Sequence, residues 1–260
     1  MHKKLLVASI LFVSSVYADD IKVSDVEANY AAKSVKIDSK ELKQSINLGF
    51  ANTTGNTETL NLNAKYILGF ATTGYDDKVL NIAFDASAFV TENSGVRDNE
   101  EYTATLGMEQ FIMNDWLGYA SIYWLRNTFR NFDNKVLVGA GVGKAILNDE
   151  NHSLKFKLGV AYNIEQYANS QPEHTFTSLT QYVEYSNQLN QTSLLYIRIG
   201  ASENFDNFED YEVLGVAGFN FTVAENLSVT IEQEVRYDKI PPIGFETTDT
   251  KTIIRVGYNF

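Results

Sequence analysis

From Leu42 onward the chain alternates apolar and polar residues with a period of two, interrupted by turn signals about every ten to fourteen residues. Strand one sets Ile46, Leu48 and Phe50 against Ser45, Asn47 and Gly49, and the turn Asn52 to Thr57 contains Gly55-Asn56. Strand two sets Leu60, Leu62, Ala64, Tyr66, Leu68 and Phe70 against Asn61, Asn63 and Lys65. Strand three, over 78–90, sets Leu80, Ile82 and Phe84 against Asn81 and Asp85. Strand four sets Tyr102, Ala104, Leu106 and Met108 against Glu101, Thr103, Thr105 and Glu109. Strand five, over 116–129, alternates less cleanly, and Arg126 assigns its even positions to the polar face. Strand six places Val136, Val138, Ala140 and Val142 opposite Gly139, Gly141 and Gly143. Strand seven is the clearest: Leu154, Phe156, Leu158, Val160, Tyr162 and Ile164 against Lys155, Lys157, Gly159, Asn163 and Glu165. Strand eight, over 175–185, leaves its facing open. Strand nine sets Leu195, Ile197 and Ile199 against Tyr196 and Arg198, and strand ten carries Tyr211, Val213, Phe219 and Phe221. Strand eleven sets Leu227, Val229, Ile231, Val235 and Tyr237 against Ser228, Thr230, Glu232, Glu234 and Arg236. The last strand sets Ile254, Val256 and Tyr258 against Arg255, Gly257 and Asn259, with Ile253 off pattern, and ends on Phe260.

Such alternation describes strands with one face toward an apolar medium. The total is about twelve, an even number, as a single-chain bacterial barrel requires. Connections after even strands are mostly short (Asn114-Asp115, Asn187 to Asn190, Ala224 to Asn226). Those after odd strands are mostly longer (Thr91 to Asn99, Tyr167 to His174, Glu203 to Glu209, Lys239 to Thr248). Long loops outside and short turns inside, with both ends of the barrel domain in the periplasm, is the pattern of an up-and-down transmembrane β-barrel. Aromatics gather near strand ends, among them Tyr66, Tyr102, Tyr162 and Tyr237, as interfacial girdles do.

The first residues supply the export route. Lys3-Lys4 precede an apolar run from Leu5 to Val16, and Val16-Tyr17-Ala18 puts small residues at the positions a signal peptidase reads. Residues 1–18 therefore read as a signal peptide cleaved between Ala18 and Asp19. Removing it takes the net charge from −12, less two lysines, to −14. Residues 19–40 read as a periplasmic lead-in, with Ser24 and Glu27 at capping-box spacing before a short helix over 25–33. That segment is either a flexible lead-in or a plug that enters the lumen. Residues 41–260 form the barrel. No later stretch is long and apolar enough for a transmembrane helix, so membrane residence requires a closed barrel. Mean hydropathy is slightly negative, which a barrel also gives, because lipid-facing and lumen-facing residues cancel.

Two stretches carry a family resemblance. Leu48-Gly-Phe-Ala-Asn-Thr-Thr-Gly-Asn-Thr-Glu58 resembles the Gly-Asn-Thr signature of the salt-induced outer-membrane protein family, a domain family of unknown function. Pro241-Pro-Ile-Gly-Phe-Glu-Thr-Thr-Asp249, before the strand ending Tyr258-Asn-Phe260, is similar to that family's C-terminal end. The resemblance covers residues 41–260. It implies an outer-membrane barrel, embedded among outer-membrane lipid and lipopolysaccharide, with a link to salt or osmotic stress. A strand ending on an aromatic also resembles the closing strand of outer-membrane barrels, which implies that Tyr258 and Phe260 form the signal read by the barrel assembly machinery.

The chain has no Cys, hence no thiol nucleophile or thiolate metal site. Its acidity argues against nucleic acid as a partner. No catalytic residue, cofactor site or metal site is assigned. Beyond the leader the only histidines are His152 and His174, which the strand count puts at opposite ends of the barrel. The inward faces are more informative. Lys65, Asp85, Glu101, Glu109, Arg126, Lys155, Lys157, Glu165, Arg198, Glu212, Glu232, Glu234, Arg236, Lys251 and Arg255 are the candidate lumen residues. They form either a web of paired charges filling a narrow barrel or the lining of a channel for ions or small solutes. The alternatives are a narrow channel or envelope-maintenance protein, a non-conducting structural or adhesive barrel and, on weaker grounds, an outer-membrane hydrolase.

Overall fold

The computed structural model describes residues 42–54, 59–93, 96–169, 171–241 and 246–259. The expected signal peptide, the Ala18–Asp19 cleavage point, the helix over 25–33 and Phe260 lie outside these residues.

Twelve strands follow one another: β1 (Lys43–Thr54), β2 (Thr59–Thr73), β3 (Val79–Asn93), β4 (Val96–Met113), β5 (Trp116–Asn127), β6 (Phe132–Asn148), β7 (His152–Tyr167), β8 (His174–Asn190), β9 (Ser193–Asn204), β10 (Tyr211–Ala224), β11 (Leu227–Asp238) and β12 (Thr248–Asn259). Each pairs antiparallel with the next, and β12 returns to β1 to close the barrel. The closing ladder runs in unbroken register from Ser45 opposite Asn259 to Thr54 opposite Thr250.

The period of two becomes an inside and an outside. Leu48, Ile122, Val138, Val142, Val160, Ile254 and Val256 stand on the outer surface, each about half exposed. Lys65, Asp85, Glu109, Lys135, Lys155, Lys157 and Glu232 are within 5 % of complete burial. A protein folded for water has these classes the other way round. A surrounding apolar medium removes the conflict, since the outer band then meets hydrocarbon and the interior keeps the polar groups.

Three expectations change. The connection expected over Thr91 to Asn99 is mostly strand: β3 continues to Asn93 and β4 resumes at Val96, with a register shift between Thr91 and Glu92. In β5 the odd positions face inward, because Leu117, Ser121, Tyr123, Leu125 and Asn127 are buried while Ile122 is exposed. Arg126 therefore points outward, against expectation. It pairs there with Asp133 at 2.8 Å, both side chains more than 40 % exposed. Its charge suggested the wrong face, since a rim position lets a guanidinium reach water from the outside of a barrel. The turn expected over Asn187 to Asn190 is strand instead, since β8 runs to Asn190 and β9 begins at Ser193; in β8, whose facing the sequence leaves open, Ser178, Thr180 and Tyr182 face inward.

The interior is not uniformly polar. Tyr123, Leu125, Phe132, Leu137 and Ala161 make an apolar cluster across β5, β6 and β7, and Phe89 packs on Ile253, the residue that breaks the pattern of the last strand. Large inward rings lie over inward glycines. The Tyr196 ring occupies the space where a Cβ at Gly218 would stand, and Tyr119 covers Gly141 and Gly159. A side chain at Gly218 must displace Tyr196, whereas one at Gly139 meets nothing nearer than 3.4 Å. Gly218→Val is expected to cost about 1–3 kcal/mol of folding stability by overpacking, and Gly139→Ala much less. Urea unfolding of the detergent-refolded barrel, followed by heat-dependent gel mobility, measures both.

Candidate functional site

The interior charges are joined across the barrel rather than only along its wall. Toward the short-turn end Glu109 of β4 pairs with Lys155 and with Lys157, both of β7, the latter at 2.8 Å. Lys157 also pairs with Glu184 of β8 at 2.7 Å. Because β5 and β6 lie between β4 and β7 in the wall, a β4–β7 ion pair can form only through the lumen.

A second group joins β4 to β11 and β12. Glu101 takes Lys251 at 3.1 Å and lies 3.8 Å from Arg236, and Glu234 receives Arg236 at 3.2 Å and Lys251 at 3.5 Å. Asn127 donates its amide N–H to Glu101 at 3.1 Å. A third group lies on β9, β11 and β12 with the neighbouring pair on β2 and β3. Glu232 accepts the Tyr196 hydroxyl at 2.5 Å and pairs with Arg255. The Arg198 guanidinium sits 4.4 Å over the Tyr196 ring. Lys65 and Asp85 face each other at 3.7 Å with side chains 5 % and 0 % exposed. Residues from Glu101, Glu234, Arg236, Lys251, Lys65 and Arg255 surround a small inner cavity of about 60 Å³.

The fourth group is at the long-loop end. Lys135 of β6 bridges Glu165 of β7 at 3.0 Å and Glu212 of β10 at 2.9 Å. The bridge crosses the mouth, since β8 and β9 lie between β7 and β10. The Tyr167 hydroxyl donates to Glu165 at 2.7 Å, and the Phe132 ring lies 5.1 Å from the Lys135 ammonium. Above the bridge a cavity of about 190 Å³ opens toward the loops.

Burying charge costs several kcal/mol per ion unless each is paired and hydrogen-bonded. The cross-lumen pairs give each charge a partner, and Lys155–Glu109, Lys135–Glu212 and Lys251–Glu101 are hydrogen-bonded as well. Of the candidate lumen residues only Arg126 lies outside; the others enter these four groups. Two charged participants escaped sequence reasoning. Lys135 shares a face with Leu137 and Gly139, and that parity was the available signal. Glu184 lay in the strand whose polar residues on both faces hid its facing.

His152 and His174 are separated by most of β7 and β8, where His152 pairs with Asn187 and His174 with Glu165, roughly 40 Å at the rise of a strand. His152 sits in a turn built by Asp149, whose carboxylate accepts the backbone N–H groups of Asn151 and His152 at 2.9 and 2.7 Å. Those hydrogen bonds hold the Asp149 carboxyl below the usual carboxylate range. His174 stacks on Phe176 and lies 3.8 Å from Glu165. Among the described residues no three His, Asp or Glu side chains gather closely enough to hold a metal ion.

A sequence model described as a protein of unknown function, DUF481, matches residues 46–260. The chain belongs to the DUF481 family. It is 23 % identical over 228 residues to the uncharacterized protein YdiY of Escherichia coli (strain K12), covering 85 % of this chain and 84 % of that one. Among solved structures, an outer membrane channel from Pseudomonas putida F1 superposes with TM-score 0.55 at 10 % identity, over 85 % of this chain and 96 % of that one. The translocator domain of the autotransporter NalP from Neisseria meningitidis gives 0.52 at 11 %, over 92 % and 95 %. The NanC porin gives 0.50 at 8 %, over 82 % and 98 %. At such identities these likenesses establish the fold alone, an antiparallel barrel of the outer-membrane type.

Removing one partner from a buried group is expected to cost far more than removing one from the outer surface. Glu109→Gln, which takes a carboxylate from two buried lysines, should lower stability by about 3–5 kcal/mol. Arg126→Ala should stay within about 1 kcal/mol, as exposed pairs do. Urea midpoints of the refolded variants at matched detergent concentration check both, and an equal loss would show that Arg126 is not an outward, solvated charge.

Proposed function

We propose that this protein is an outer-membrane barrel acting as a narrow, low-conductance channel for small ions, held narrow by ion pairs that span its lumen. The observation that carries the reading is the set of bridges between non-adjacent strands, above all Glu109 to Lys155 and Lys157 and Lys135 to Glu165 and Glu212. Twelve strands enclose less cross-section than the sixteen or more of open porins. Inward Tyr119, Tyr123, Tyr182 and Tyr196 take up much of what remains. The apolar outer band supports residence in lipid, and the alternation of short and long connections supports short turns in the periplasm.

Buried pairs are screened by salt much less than exposed ones, so the lumen would keep its bridges through a rise in ionic strength. A role under salt or osmotic stress is supported by the family resemblance alone. The strength of the packing favours one second reading, a purely structural barrel whose lumen passes nothing.

Planar-bilayer recording of the refolded chain separates the two. The channel reading predicts steady openings about an order of magnitude smaller than those of a sixteen-stranded porin in the same bilayer. It also predicts larger openings when Lys135→Met removes the bridge across the mouth. Porin-sized openings in the unaltered chain would refute a lumen narrowed by bridges. Silence in both proteins, with folding shown by heat-dependent mobility, would leave the structural barrel.

A further inference from the structure

Lys144 is a charge that the lumen does not use. It stands exposed on the outer wall of β6 between Val142 and Ile146, while Gly143 and Ala145 beside it are buried. Its neighbours across the ladders are Trp116 of β5 and Phe156 of β7. These four apolar side chains are each more than a third exposed, so they belong to the band that meets hydrocarbon. The Lys144 ammonium lies 5.7 Å from the centre of the Trp116 ring, and among the described residues it has no carboxylate partner. Other outward cations have one. Arg126 has Asp133 at 2.8 Å, and Lys78 has Asp76 at 2.8 Å and the Ile112 carbonyl at 2.6 Å. A lysine in an apolar band lays its stem along the wall and brings its ammonium to the level of the lipid headgroups. The anion it meets there is a lipid phosphate.

The rim beyond Lys144 is acidic. Ala145 donates its backbone N–H to the Asp115 carbonyl at 2.8 Å, which ties Asp115 to β6 one residue past Lys144 toward the short-turn end. Asp115 is exposed, and its carboxylate takes no partner among the described residues. On the neighbouring turns Asp77 and Glu150 are exposed as well, while Asp149 is committed to the backbone of its own turn. A cation at the edge of the apolar band with carboxylates beyond it complements a zwitterionic headgroup, whose phosphate lies next to the acyl chains and whose ammonium lies farther out.

We propose that Lys144, Trp116 and Asp115 form a binding site for a phospholipid whose headgroup ends in a primary ammonium, as in phosphatidylethanolamine. Lys144 takes the phosphate, and Asp115 accepts an N–H of the terminal ammonium. Val142, Ile146 and Phe156 receive an acyl chain, and the Trp116 ring face steadies the Lys144 ammonium. A lipid with negative charge alone is repelled by the acidic rim, and a fully methylated ammonium has no N–H to give Asp115. The site rests on the membrane residence proposed above, with the short turns in the periplasm and phospholipid in the leaflet there. It does not rest on conduction.

The chain has two tryptophans, so Trp124→Phe leaves Trp116 as a reporter inside the site. The test is titration of this protein, folded in detergent micelles, with lipids brominated on their acyl chains, which quench tryptophan fluorescence on contact. Brominated phosphatidylethanolamine should quench Trp116 saturably. Its midpoint should lie about fivefold below those of phosphatidylcholine and phosphatidylglycerol, the scale of one charge at a membrane surface, and further below that of diacylglycerol. Lys144→Met should cut the margin over diacylglycerol about fivefold, and Asp115→Asn should remove the margin over phosphatidylcholine. Both side chains are exposed, and heat-dependent mobility reports the folding of each variant. The converse protein, Trp116→Phe, reads the wall at Trp124, near the other end of β5. If no lipid quenches either tryptophan, the membrane residence fails and the site fails with it. Quenching of both, with Trp116 indifferent to the headgroup, overturns the site alone. So does phosphatidylglycerol binding tighter than phosphatidylethanolamine, or a headgroup preference unchanged in Lys144→Met.

Discussion

The ladder between β1 and β12 is the interaction on which everything else depends. In hydrocarbon no water satisfies a free backbone N–H or C=O, and each one left open costs several kcal/mol. A sheet of twelve strands has two edges, and the pairing of Ser45 through Thr54 with Asn259 through Thr250 removes both. Once the sheet is closed, the alternation of side chains has only one consistent assignment. A shift of one residue in any ladder would carry Lys155 or Glu232 into lipid and bring Val160 or Ile231 inside. Register, topology and the location of charge are therefore one constraint seen at three scales.

Closure also creates the problem that the lumen solves. Charges placed inside cannot be left without partners, and the wall alone does not supply enough of them. Lys65 meets Asp85 on the next strand, but Glu109 reaches β7 from β4, and Lys135 reaches Glu212 on β10 from β6. These bridges tie the barrel across its diameter, so the charge that makes the interior wettable also limits its width. Inward aromatic residues act in the same direction by a different route: Tyr196 fits only because Gly218 offers no Cβ, and its hydroxyl then completes the shell of Glu232.

Most of this architecture is legible in the sequence, and the failures are local. Strand seven alternates over twelve residues with Ala161 alone off pattern, and its facing could not be mistaken. The antiparallel barrel of about twelve strands follows from summing such segments with the parity of their connections. Arg126 went wrong because a single charge was read as inward, whereas the buried series Leu117, Ser121, Tyr123, Leu125 contains three apolar side chains and looked like an outer face. Apolar residues belong inside wherever a narrow lumen is packed rather than filled with water, and the pattern cannot announce that in advance. The connection expected at Thr91 to Asn99 failed for a related reason. Polar residues signal loops in water, but strands that run beyond the membrane are polar on both faces. The cross-lumen partners were out of reach of any linear reading, since Glu101 and Lys251 are 150 residues apart.

The charges are also ordered along the axis. At the mouth the cavity lining is carboxylate, with Lys135 as the ammonium that closes its floor. The inner cavity is lined by four cations (Lys65, Arg236, Lys251 and Arg255) beside Glu101 and Glu234, with Asp85 and Glu232 pairing Lys65 and Arg255 from outside the lining. Each of these four cations has a carboxylate within 4 Å, so the field of the inner region is local to its pairs, which attract strongly and with little screening in a low-dielectric wall.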